Sequence, residues 1–151
     1  MQSTPLKVRP YVAADEDAAI ELWQRSWQDA YPDIDFAARV GWWRERWRRE
    51  LVPQARILVA EMDGVLEGFV TVDPKTGYLD QIVVAPEFWG SNVSGLLLDA
   101  GKRISPARLD LLVNKDNARA IAFYEKHGFV MAGDDVNPVS GRPVFRMRWR
   151  P

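Results

Sequence analysis

Between Asp15 and Ala30 the apolar residues Ile20, Trp23, Trp27 and Ala30 recur at i, i+3, i+7 and i+10, one stripe of an amphipathic helix with acidic residues in its first turn. Pro32 stops it. A second stripe, Phe36, Val40, Trp43, Trp47 and Leu51, predicts a helix from about Asp35 that Pro53 closes, with Arg39, Arg44, Arg46, Arg48 and Arg49 largely on its other faces. Ahead of both, Leu6 to Val12 (LKVRPYV) reads as a strand that Pro10 confines to an edge or a bulge. Three β-branched and aromatic runs follow the helices: ARILVAEM, VLEGFVTV and YLDQIVVA. Asp63-Gly64, a strong two-residue hairpin signal, and DPKTG (Asp73 to Gly77) separate them, which predicts an antiparallel meander. Past Pro86 a Gly/Ser stretch leads into a helix (SGLLLDAGKRI), a strand (RLDLLV, Arg108 to Val113), a second helix (NARAIAFYEKHGF, Asn117 to Phe129) and a closing hairpin, GFVMAGD and PVFRMRW.

The predicted fold is therefore mixed α/β (α+β), a mainly antiparallel sheet flanked by helices in the order β-α-α-β-β-β-α-β-α-β-β. The step from YLDQIVVA to RLDLLV is a parallel crossover. Two such strands diverging after Pro86 open a cleft at their carboxyl ends, where ligands bind in open α/β sheets. At 151 residues the chain is expected to form one domain, 6–151.

Composition narrows the function. A formal charge of -1 argues against nucleic acid as a partner, and no apolar run is long enough for a membrane span. Zero cysteines exclude disulfides, thiolate metal sites and acyl intermediates on a protein sulfur. The start, MQSTPLKVRP, lacks a secretory pattern, so a cytoplasmic location is expected. His127 is the lone histidine with no carboxylate cluster near it in sequence, so no metal is expected; one residue before Gly128, it reads as a contact to the negative helix end.

In the helix from Asn117, Asp116 or Asn117 can cap the start and Gly128 suits the left-handed residue that ends it. Asn117, Ala120, Ile121 and Tyr124 share one stripe, so an amide, a methyl and a phenol face one partner while Phe123 turns to the core. Asn117, Ala120, Phe123, Tyr124, Gly128 and Phe129 together resemble the second motif of the GCN5-related N-acetyltransferase (GNAT) superfamily, whose element order is similar to this chain's along nearly its whole length. The resemblance implies an acetyl-CoA-dependent N-acetyltransferase. Acetyl would pass directly to an amine of a small molecule or peptide, with Asn117 and Ala120 along the pantetheine arm and Tyr124 giving a proton to the departing thiolate. Tyr124 also reads as an ordinary half-buried helix tyrosine.

The family's pyrophosphate loop is altered here. Trp89 stands at the Gln/Arg position, Asn92 at the first glycine and Ser94 at the second, while Gly90, Val93 and Gly95 remain. Asparagine is the mildest replacement where positive φ is needed, and a hydroxyl of Ser91 or Ser94 can donate to phosphate. With no cation left in the loop, Lys102, Arg103 or Lys126 are candidates to replace it. Trp89 either caps the coenzyme or plugs the core edge. By the same resemblance the amides of Val83 and Val84 bind the acetyl carbonyl and pantetheine. Asp80 reads either as the general base or as a paired or solvated carboxylate; Tyr78 and Leu112 stand where histone and ribosomal-protein acetyltransferases carry their glutamates. The acceptor pocket is expected between the N-terminal helices, near Trp23, Trp27, Tyr31, Trp42, Trp43 and Tyr78. A catalytically silent acyl-CoA sensor and a protein-interaction module are the alternatives, and a homodimer is left open.

Overall fold

A computed structural model describes residues 6–151. After β1 (Lys7–Pro10), α1 (Glu16–Ala30) buries Ala19, Ile20, Leu22, Trp23 and Ser26, the stripe its sequence spacing requires. The Tyr31 amide closes it on the Trp27 carbonyl at 2.9 Å, and Pro32 cannot extend it.

The second helical region departs from expectation. It starts as a 3₁₀ turn at Ala37–Arg39, becomes α2 (Val40–Arg46), widens into a π turn at Trp47–Leu51 and ends as α3 (Val52–Gln54). Pro53 thus lies inside the last turn instead of closing the helix. Trp43, Trp47 and Leu51 are spaced by four, which overshoots a 3.6-residue turn, and the wider turn takes up the excess so that all three stay buried. The Val52 amide reaches back five residues to the Trp47 carbonyl, and the Ala55 amide donates to Leu51 at 2.8 Å. The ladder therefore passes Pro53, which has no donor to give.

β2 (Arg56–Met62), β3 (Val65–Val72) and β4 (Leu79–Val84) continue from β1 as one antiparallel sheet in the order β1-β2-β3-β4. Asp63 and Gly64 both take positive φ, 54° and 76°, as a two-residue hairpin turn of this hand needs. Beyond α4 (Asn92–Ile104), β5 (Leu109–Asn114), β6 (Val130–Val136) and β7 (Pro143–Trp149) form a second antiparallel sheet in the order β5-β7-β6, with α5 (Ala118–Lys126) between β5 and β6.

Among the described residues the two sheets meet at one parallel bridge, Tyr78 to Asp110, where the Asp110 amide donates to the Gly77 carbonyl at 2.9 Å. A Cβ on Gly77 would stand 2.6 Å from the Arg108 carbonyl, so only glycine admits this approach. β4 and β5 part immediately past that bridge, earlier than Pro86. No helix among the described residues is long and apolar enough to cross a membrane.

Candidate active site

The parting strands open into a cleft of about 1080 Å³ that runs from α1 and α2, past β4, to the start of α4 and the face of α5. At one end, Ser91 caps α4. Its hydroxyl accepts from the Val93 amide at 3.3 Å and donates to the Phe88 carbonyl at 2.6 Å, so it is not free to donate to a phosphate. The capping leaves the amides of Asn92 and Ser94 in the first turn without an intrahelical partner. The left-handed residue of this loop is Gly90 (φ 79°) and not Asn92, which is already the first helical residue. Helix formation two residues earlier than predicted moves the chain reversal to Gly90. Val93 is buried beneath the turn, and Gly95 lies beside the His127 imidazole.

Trp89 donates its indole N–H to the Val84 carbonyl at 2.9 Å, and the Arg119 guanidinium lies 4.0 Å over its ring. Arg119 is thus a cation beside the loop that sequence reading missed, its spacing of four from Phe123 on the cleft-lining face of α5 being the available signal; Lys126, one of the expected candidates, also lines the cleft. Lys102 is occupied, donating to the His127 carbonyl at 2.8 Å.

Along β4 the amides alternate in direction. Ala85 donates to the Glu67 carbonyl of β3 at 2.8 Å, which places the Val83 donor on β3 and those of Ile82 and Val84 on the cleft side. Of the expected pair, Val84 turns its amide to the cleft and Val83 does not; Ile82 does. The Val84 carbonyl accepts twice, from Trp89 and from the buried Ser26 hydroxyl at 2.9 Å.

On α5, Asn117 caps the helix by accepting from the Ala120 amide at 3.2 Å, and Gly128 ends it at φ 92°. Ala120, Phe123 and Tyr124 all line the cleft; Phe123 also packs on the core, as expected, and Ile121, expected on the cleft stripe, packs on the core as well. Tyr124 is 9% exposed, and its hydroxyl has no hydrogen-bond partner among the described residues. Burial raises its pKa well above the usual phenol value, with Arg119 opposing weakly, so it stays protonated at neutral pH. His127 packs on the Phe123 ring, centroids 4.6 Å apart; burial, then Lys102, hold its pKa below the ordinary value.

At the other end, Trp23 is a core residue, stacked on Trp43 with centroids 4.7 Å apart at 7°. Trp27 is half-buried, stacks on Tyr31 and directs its indole N–H toward Gln81 at 3.4 Å. The Tyr31 hydroxyl donates to Asp116 at 2.8 Å and accepts from Asn114 at 3.0 Å, tying α1 to the end of β5. Tyr78 lines the cleft, its pKa pushed up to about 12 by burial and by Asp80. Asp80 reaches the cleft, but both its oxygens accept from Arg46, at 2.6 and 2.8 Å. A carboxylate so held must break two charge-assisted bonds before it can take a proton. The partner went unseen in the sequence because Arg46 looked like one more exposed arginine.

The site is thus a sheet that splits between two parallel strands, with a capped helix start and an unpartnered tyrosine on the gap. Residues 16–129 match the model of the acetyltransferase (GNAT) family. The chain is 26% identical over 125 residues to the peptidyl-lysine N-acetyltransferase YjaB of Salmonella typhimurium, covering 82% of this chain and 83% of that one. In fold it is similar to the PaiA N-acetyltransferase of Thermoplasma acidophilum in complex with coenzyme A, with a TM-score of 0.80, 22% identity and coverage of 97% and 99%. It is also similar to apo-form YjaB of Escherichia coli, with a TM-score of 0.76, 23% identity and coverage of 96% and 97%. The chain belongs to the GNAT family.

Proposed function

We propose that this protein is an N-acetyltransferase that moves acetyl from acetyl-CoA directly to an amine. The observation that carries this reading is the Tyr124 hydroxyl, protonated, unpartnered and facing the gap between β4 and β5. The residues present suit the coenzyme: the free amides of Asn92 and Ser94 at a helix N-terminus favour phosphate, and Arg119 supplies the charge the altered loop lacks. The donors of Ile82 and Val84, together with Ala120, suit a thin amide-bearing chain. Bound acetyl-CoA supplies the thioester carbon. Tyr124 gives its proton to the departing sulfur, a contribution of about 10²- to 10⁴-fold for such general acids. Asp80 is assigned to holding Arg46, not to proton abstraction.

A Tyr124→Phe chain is expected to bind acetyl-CoA with unchanged affinity by calorimetry while turnover falls about 10²-fold. Unchanged turnover removes Tyr124 as the acid. Binding without thiol release in the native chain instead identifies a silent sensor, and no heat at millimolar coenzyme identifies an interaction module.

A further inference from the structure

On the acceptor side of the cleft, Arg39, Trp42 and Arg46 fall at i, i+3 and i+7 and line it together. Arg46 is neutralised by Asp80. Arg39 has no carboxylate partner among the described residues; its guanidinium lies 5.4 Å over the Phe36 ring. Trp42 is 47% exposed, unusual for so large an apolar side chain, and the Trp27–Tyr31 stack also lines this half. The anions here are engaged, Asp80 by Arg46 and Asp116 by Tyr31 and Arg142. A polycation or a lysine-rich segment would meet uncompensated positive charge and no free anion.

Resting on the N-acetyltransferase reading, we infer that the acceptor is a small aromatic amine carrying a carboxylate, in its simplest form an aromatic α-amino acid. Arg39 holds the carboxylate, and Trp42 and Trp27 flank the ring. The engagement of Asp80 favours the same class from a different direction. With no free carboxylate base, the amine must reach the thioester already neutral. An α-amino group is less basic than the ε-amine of a lysine, so it is neutral more often at neutral pH. The guanidinium charge nearby favours the neutral form further. The nitrogen lone pair forms the C–N bond as the C–S bond breaks. The sulfur takes the Tyr124 proton, and the amine's excess proton leaves to water, from which Tyr124 is reprotonated.

The test is thiol release from acetyl-CoA with tryptophan, tryptamine, an Nα-blocked lysine peptide and spermidine as acceptors. Tryptophan is expected to exceed tryptamine in kcat/KM at least tenfold, with the lysine peptide and spermidine slowest. Arg39→Gln, checked for native circular dichroism, narrows the tryptophan-to-tryptamine ratio to within twofold, and Arg39→Lys restores part of it. If tryptamine, the lysine peptide or spermidine is the best acceptor, the inference is overturned while N-acetyl transfer stands. If no acceptor releases thiol, both fall.

Discussion

Beneath α1 and α2 the buried side chains include Trp23, Phe36, Trp43, Trp47 and Phe69; beneath α4 and α5 they include Leu97, Leu98, Leu109, Leu111 and Val113, with Tyr124 and Phe129 the buried aromatics there. The aromatic half interlocks through ring contacts, Trp47 against Phe69 at 5.2 Å and 76°, and offers the cleft side-chain chemistry: indoles, phenols and guanidinium groups. The more aliphatic half adds main-chain donors, the amides at the start of α4, beside the Tyr124 phenol and the Arg119 guanidinium. A ligand moiety common to many enzymes can be held by backbone, which any sequence supplies. A moiety particular to one enzyme needs side chains, and those need a stiff support.

Truncating Trp47 strikes that support hardest. Trp47→Ala is expected to cost ~3–5 kcal/mol in urea unfolding and to raise the acceptor KM more than the coenzyme KM. A larger rise in the coenzyme KM would dissolve the division between the halves. Asp80→Asn leaves the half-buried Arg46 with only the more exposed Glu50 as a charge partner and is expected to cost roughly 1–2 kcal/mol, discounted for partial exposure, with the acid limb of the pH–rate profile unmoved. A vanished acid limb would reinstate Asp80 as the base. On the coenzyme side, Arg119→Gln should raise the KM for acetyl-CoA about tenfold, close to 1.4 kcal/mol, and leave the acceptor KM alone.

The smallest effect joins the two halves. Tyr78 and Tyr124 have folded pKa values raised by burial, Tyr78 to about 12, against about 10 in the unfolded chain. The unfolded state therefore binds fewer protons above pH 10, so stability is full below that value and is lost as pH rises through 10 to 12. Tyr78→Phe and Tyr124→Phe should each flatten part of the fall in Tm over that range.

Element order, the β2-β3-β4 meander, the β6–β7 hairpin and the Asp63-Gly64 turn were legible in the sequence because each rests on local chemistry: alternation, a 3.6-residue stripe, tolerance of positive φ; the division into two sheets and the β5–β7 pairing, which join distant segments, were not. The π turn was not, since Pro53 looked like an ordinary stop and only the spacing of Trp43, Trp47 and Leu51 by fours hinted otherwise. At the site, the helix cap by Asn117 was readable, and the family match bears out the motif-based recognition. The Arg46–Asp80 pair and the Arg119–Trp89 stack were not. Each joins residues about 30 apart in sequence, and a long cationic side chain leaves no periodic mark of where its head will rest.

One feature of the frame bears on how such a protein can diversify. With the Tyr78–Asp110 bridge as the one backbone link between the sheets among the described residues, the gap behaves like the mouth of a clothes peg, its spring made of side chains around a fixed pivot. Trimming one of those side chains widens the jaws for a bulkier acyl group without unzipping a strand.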